Sequence, residues 1–299
     1  MSNKNGPDKD KAPLAIRIVK TVCMAGLVLC LLALCFYGLN YLKSLNSTKE
    51  IAAEYTEKSS VTLKEAFAKE SSEKAPAAEE EKEEKALLSS FPVLTVKHDA
   101  LYAENSDYRG WIDIPDTAIS YPFYKSKDNA DYVRRDEKGS YSYGGVIFID
   151  GYVKDSSVKG SSSYKEPETP VNIVLHGHNM RMGTMFAGLK DYLTDGFISS
   201  HPFIIIYPNG CAPELYRIYS VYVTTAKKAD KLSYTSAFNG RDSLAAFVDE
   251  TAALSSVDTG YLPAKESTVL TLSTCYGASG SGKRLIVHAE QVISERKTE

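Results

Sequence analysis

The feature that most limits how this chain can fold is the stretch at residues 21–42, which contains no Lys, Arg, Asp or Glu. At about 1.5 Å of rise per helical residue the stretch runs roughly 33 Å, enough to cross a bilayer's hydrocarbon core. It is expected to be a transmembrane helix. Lys4, Lys9, Lys11, Arg17 and Lys20 precede it, and Lys43, Lys49 and Lys58 follow more thinly. That bias favours a cytoplasmic N-terminus and an external C-terminal body. The competing reading is a cleaved signal peptide. The stretch is longer than a usual signal core, however, and no clear small-x-small site follows it.

The expected organisation is a cytoplasmic tail at 1–20, the anchor at 21–42, a stalk at 43–90 and a single external domain at 91–299. Within the stalk, Glu79-Glu80-Glu81-Lys82-Glu83-Glu84-Lys85 is a charge run, and Pro76 interrupts any helix before it. Such a segment reads as a solvated spacer. Lys and Arg number 35 against 38 Asp and Glu, a net charge of -3, which gives no electrostatic reason to expect a nucleic-acid partner.

From about residue 87 the pattern becomes that of short strands. Candidate strands fall at 111–115, 119–123, 146–149, 171–175, 203–207, 215–225, 268–272 and 285–293, separated by Gly, Pro, Asn and Asp. About eight strands without regular strand–helix alternation imply a mainly β fold, a closed or nearly closed barrel. Helical stretches are expected at 184–193 and 242–254, the second with Leu244, Phe247, Val248 and Leu254 on one face. Residues 156–170, rich in Ser, Lys and Pro, read as an exposed loop.

The chemistry begins at Thr271-Leu272-Ser273-Thr274-Cys275. A cysteine where a strand gives way to a glycine-rich turn is open to substrate and is a candidate nucleophile, given a histidine and a charge stabiliser. Outside residues 21–42 the other cysteine is Cys211, and a Cys211–Cys275 disulfide is a competing use of both. The five histidines are His98, His176, His178, His201 and His288. His176 and His178 flank Gly177 at a strand end, a suitable place to present an imidazole. As residues i and i+2 of a strand they could instead ligate zinc with Cys275. Gly277-Ala278-Ser279-Gly280-Ser281-Gly282-Lys283-Arg284 approaches a phosphate-binding loop. It has Arg284 where that loop needs Ser or Thr, and it leads into a strand rather than a helix. It is better read as a hairpin turn that brings Arg284 back beside Cys275, where a guanidinium can stabilise an oxyanion.

Together these places resemble the sortases, and most closely those of class B. The likeness rests on Thr271 to Cys275, on Gly177-His178-Asn179-Met180 with Gly183-Thr184-Met185-Phe186, on Arg284 opening the last strand, and on Asn105-Ser106-Asp107-Tyr108-Arg109-Gly110-Trp111-Ile112-Asp113-Ile114-Pro115. It spans about residues 95–295. The resemblance implies an eight-stranded β-barrel with added helices and a membrane-anchored cysteine transpeptidase. Cys275 would attack the threonine carbonyl of an NPxT-like motif near the C-terminus of a secreted protein. An amine of a lipid-linked cell-wall precursor, or a pilin lysine, would resolve the thioester. His178 would be the general acid–base and Arg284 the oxyanion or backbone ligand. No cofactor or metal is implied. This chain carries His176 where many class B members have an aromatic residue. A hydrolytic cysteine peptidase and an anchored, non-catalytic binding domain remain open on the residues alone.

Overall fold

The computed structural model describes residues 14–62 and 92–293. The chain forms two compact units, Met1–Lys43 and Ser44–Glu299. The first holds most of a long helix, α1 (Leu14–Tyr55), with an apolar stretch of 27 residues, Ile16–Leu42. By length and composition that stretch can cross a membrane. Its cysteines Cys23, Cys30 and Cys35 are exposed along it.

The helix continues well past the expected anchor into the stretch at 43–90. Its described part ends α1 and then forms β1 (Thr56–Thr62), which pairs antiparallel with β2 (Pro92–Val96). Ile51, Ala52 and Tyr55 pack with Leu101, Tyr108 and Trp111. The Pro76 interruption and the charge run at 79–85 lie outside the described residues.

The body is a closed barrel of eight strands: β3 (Tyr108–Asp113), β4 (Ser120–Lys125), β5 (Ile147–Ile149), β6 (Asn172–His176), β7 (Phe203–Pro208), β8 (Glu214–Thr225), β9 (Val269–Tyr276) and β10 (Lys283–Ile293). Around the barrel the order is β10-β8-β7-β3-β4-β5-β6-β9, closed by the β9–β10 hairpin. The β4–β5 and β6–β9 pairs are parallel and the rest antiparallel. Parallel neighbours require a long crossover, and the β6-to-β9 connection holds β7, β8 and most of the added helices. Each expected strand is present. The largest shifts follow local chemistry. β3 begins at Tyr108, earlier than apolar spacing alone indicates, and ends before Ile114 and Pro115, a proline that could not donate to a ladder. β9 runs on through Ser273, Thr274 and Cys275.

Those polar residues stay in the strand because β6 and β10 pair on either side and every buried hydroxyl has a partner. Thr271 Oγ1 donates to Asn172 Oδ1 at 2.6 Å, Ser273 Oγ bonds Tyr234 Oη at 2.6 Å, and Thr274 Oγ1 donates to Gly177 O at 2.8 Å. Leu244, Phe247 and Val248 of the helix Arg241–Ala253 are buried against Tyr219 and Val269. At roughly 2 kcal/mol per buried side chain this face docks the helix on the barrel wall. Leu254, expected on the same face, is exposed, because the helix ends at Ala253. The stretch at 184–193 forms a 3₁₀ helix, Phe186–Leu193. The loop at 156–170 is less open than expected. Val158 and Ser161 are buried, and Asp155, just before it, receives Arg109 Nε at 2.8 Å and Ser161 Oγ at 2.6 Å.

Candidate active site

The Gly277–Gly282 segment is a hairpin turn. Gly277, Gly280 and Gly282 take φ of +77°, +80° and +66°, a left-handed region that suits glycine. The turn returns β10 so that Arg284 is the direct cross-strand partner of Cys275. Nη1 of Arg284 donates to Cys275 Sγ at 3.4 Å, and the thiol side chain is exposed.

The histidine strand reaches the same place through its pairing with β9. His176 is opposite Ser273. Gly177 N donates to Ser273 O at 3.1 Å, Thr274 Oγ1 to Gly177 O at 2.8 Å, and Asn179 Nδ2 to Cys275 O at 2.9 Å. These bonds tie residues almost a hundred positions apart. Gly177 is required by space: a Cβ there would stand 2.5 Å from Ile147 Cδ1 and 2.7 Å from Phe186 Cδ2.

His178, Cys275 and Arg284 line one cleft of about 860 Å³. His178 Nε2 donates to Val133 O at 2.8 Å. Burial lowers the His178 pKa below its ordinary value and the Arg134 charge lowers it further, against the opposing Val133 hydrogen bond, so the neutral imidazole is favoured. The thiol and imidazole face the cleft without a hydrogen bond to each other.

His176 lies in the same cleft, in a different setting. Its Nε2 donates to Asp150 Oδ2 at 2.8 Å, and its ring packs near Phe148 and edge-on to Tyr234, at centroid distances of 5.3 and 5.0 Å. Burial of Asp150 opposes its ionisation, but the hydrogen bonds from His176, the Tyr152 N–H and the Asn129 amide outweigh it and lower its pKa. The zinc reading needs His176, His178 and Cys275 to gather around one point. Among the described residues no three His, Cys, Asp or Glu side chains gather as a metal site. Cys211 is in the turn between β7 and β8, while Arg284, beside Cys275, pairs with Thr224 at the far end of β8. Leu215 and Thr224 are nine strand steps apart, roughly 30 Å, so Cys211 and Cys275 stay as free thiols.

Asp150 and Tyr234 are cleft residues that reading the sequence missed. Asp150 follows β5 directly and lies diagonally across from His176, since those strands pair antiparallel at Phe148 and His176. Tyr234 sits in an irregular segment with no periodic pattern. Its own bond to Ser273 and those of its neighbours hold it, since Asn172 Nδ2 donates to the carbonyls of Ser233 and Thr235 at 3.1 and 2.9 Å.

Comparison with known proteins agrees with this geometry. The sortase domain family model matches residues 112–292. Sortase B of Staphylococcus aureus is 31% identical over 224 residues, covering 71% of this chain and 86% of that protein. Clostridium perfringens sortase B superposes with a TM-score of 0.58 at 27% identity, covering 66% of this chain and 100% of that one. A Staphylococcus aureus sortase B–substrate complex gives a TM-score of 0.56 at 28% identity, covering 65% and 84%. The chain belongs to the sortase family, in class B, and is a cysteine transpeptidase of the kind that anchors surface proteins.

Proposed function

We propose that this chain is anchored by residues 21–42 with its N-terminus in the cytoplasm, and that its body at 91–299 cleaves an NPxT-like sorting motif after threonine outside the membrane. Residues 1–20 are the cytoplasmic tail, and 43–90 join anchor to body. Cys275, His178 and Arg284 carry the reaction. The single observation behind this reading is Arg284 Nη1 at 3.4 Å from Cys275 Sγ, in the cleft that His178 also lines.

Neutral His178 takes the thiol proton as Cys275 Sγ bonds to the threonine carbonyl carbon. The oxyanion forms beside the Arg284 guanidinium, a fixed charge in a partly enclosed cleft. The C–N bond breaks, His178 returns the proton to the leaving amine, and a thioester remains. An incoming amine of a cell-wall precursor, or a pilin lysine, attacks the thioester. His178 takes its proton, and the thiol is restored as the new amide forms.

The test incubates the detergent-solubilised full chain with NPxT-type peptides, with and without cell-wall amines. Thioester trapping at Cys275 and an amine-dependent amide product are expected, with both lost in Cys275→Ala. Products of hydrolysis alone, across several amines, would make the enzyme a peptidase in practice. Turnover surviving in Cys275→Ala would remove the thiol from the mechanism.

A further inference from the structure

The cleft holds a second imidazole that the proposed chemistry does not use. His176 Nε2 is bound to Asp150, a buried carboxylate that also accepts from Asn129 Nδ2 and from the Tyr152 N–H, each at 2.8 Å. A carboxylate only accepts, so Nε2 carries the proton and Nδ1 of the neutral ring keeps its lone pair. Nδ1 has no hydrogen-bond partner among the described residues, yet it is not a buried orphan and so remains open to solvent. Phe148 and Tyr234 hold the ring plane. A fixed acceptor with no partner, in a cleft that the donor Arg284 also lines, matches an extended peptide, which offers both N–H and C=O groups.

We propose that His176, oriented by Asp150, is a substrate-positioning residue that accepts a hydrogen bond from a backbone N–H of the sorting peptide. This rests on the reading of the cleft as the sorting-peptide site. Ser273, the cross-strand partner of His176, precedes Cys275 by two residues, roughly 7 Å along β9. The contact therefore falls within about three peptide residues of the scissile carbonyl. Asp150 is a positioning residue. In Asp150→Asn, one amide cannot accept from the Tyr152 N–H and also from both His176 Nε2 and Asn129 Nδ2, so the network that fixes the ring is broken.

The experiment compares full-length wild type, His176→Phe and Asp150→Asn on the sorting-type peptide that wild type turns over. It also uses a series of that peptide with one backbone N–H at a time replaced by an ester oxygen. His176→Phe keeps the aromatic packing and is expected to raise KM about tenfold with kcat within about twofold, the scale of one hydrogen bond in a desolvated cleft. Asp150→Asn is expected to match it, with the ring still present. One ester substitution should cost wild type about tenfold in kcat/KM and cost His176→Phe nothing. Unchanged KM in both variants overturns the inference, as do equal ester losses in all three proteins. A fall in kcat at constant KM also overturns it, by making His176 a proton-transfer group. If wild type turns over no sorting-type peptide, the reading of the cleft fails first, and the inference fails with it. Thermal unfolding of each variant separates a misfolded protein from one that binds poorly.

Discussion

His288 ties the stability of the barrel to pH, and the size of the effect follows from its surroundings. It lies on β10, fully buried, between Tyr219 and Phe247. Thr271 Oγ1 donates to Asn172, so it accepts from His288 Nδ1 at 2.8 Å, and Nε2 then accepts from Tyr222 Oη at 2.9 Å. Both ring nitrogens are satisfied in the neutral form by uncharged partners, and burial lowers the His288 pKa to about 3. In the unfolded chain the imidazole titrates near 6.5. Between those values the unfolded state binds the extra proton and the folded state does not, so stability falls as pH falls. At pH 5 the loss is about 1.4 kcal/mol for each of 1.5 pH units, or about 2 kcal/mol relative to pH 8, for any folded pKa well below 5. The assay is guanidinium unfolding of the detergent-solubilised full chain, followed by the fluorescence of Trp111, the single tryptophan, at pH 8, 7, 6 and 5. Other groups also titrate, so the informative quantity is the stability difference between wild type and His288→Gln. It should shrink by about 2 kcal/mol from pH 8 to pH 5. Parallel pH profiles, or an NMR titration placing His288 near 6.5, would refute the reasoning. The same network reaches the cleft. Ser233 Oγ bonds Tyr222 Oη at 2.8 Å, and Ser233 and Thr235 flank Tyr234.

Further outcomes follow from the cleft itself. Gly177→Ala forces a methyl into Ile147 and Phe186, and is expected to lower kcat/KM more than tenfold while costing about 1–3 kcal/mol of stability; steady-state kinetics with denaturant unfolding would separate the two effects. Thr274→Val removes the bond to Gly177 O and should destabilise by about 1–3 kcal/mol, read from the unfolding midpoint. The lowered His178 pKa keeps its neutral form dominant above pH 6.5, so kcat/KM should hold from pH 7.5 to 6.5 and fall only in more acid solution; a His178-dependent decline already at pH 7 contradicts the assignment. Arg284→Lys keeps a charge but loses the planar fork. It should lower kcat at least tenfold, measured in single turnover with the thioester trapped.

The apolar run at 21–42, the eight short strands and the glycine-rich hairpin were readable along the chain because each is a local pattern. Charge-free length, period-two alternation and positive-φ turn chemistry all act over a few neighbouring residues. The hairpin also linked Arg284 to Cys275, since a tight turn makes cross-strand partners out of sequence neighbours. The position of His178 relative to that pair was not local. Parallel β6–β9 pairing, the bonds from Thr274 and Asn179, and the space left by Gly177 decide it across almost a hundred residues. Asp150 and Tyr234 entered the cleft in the same way, through strand neighbours and a buried polar network that hydrophobic spacing does not register. Sequence alone therefore determined the class of fold and which side chains are candidates for chemistry. Tertiary structure decided which imidazole is held by a backbone carbonyl and which by a carboxylate, because that choice depends on hydrogen bonds closed only when the barrel closes.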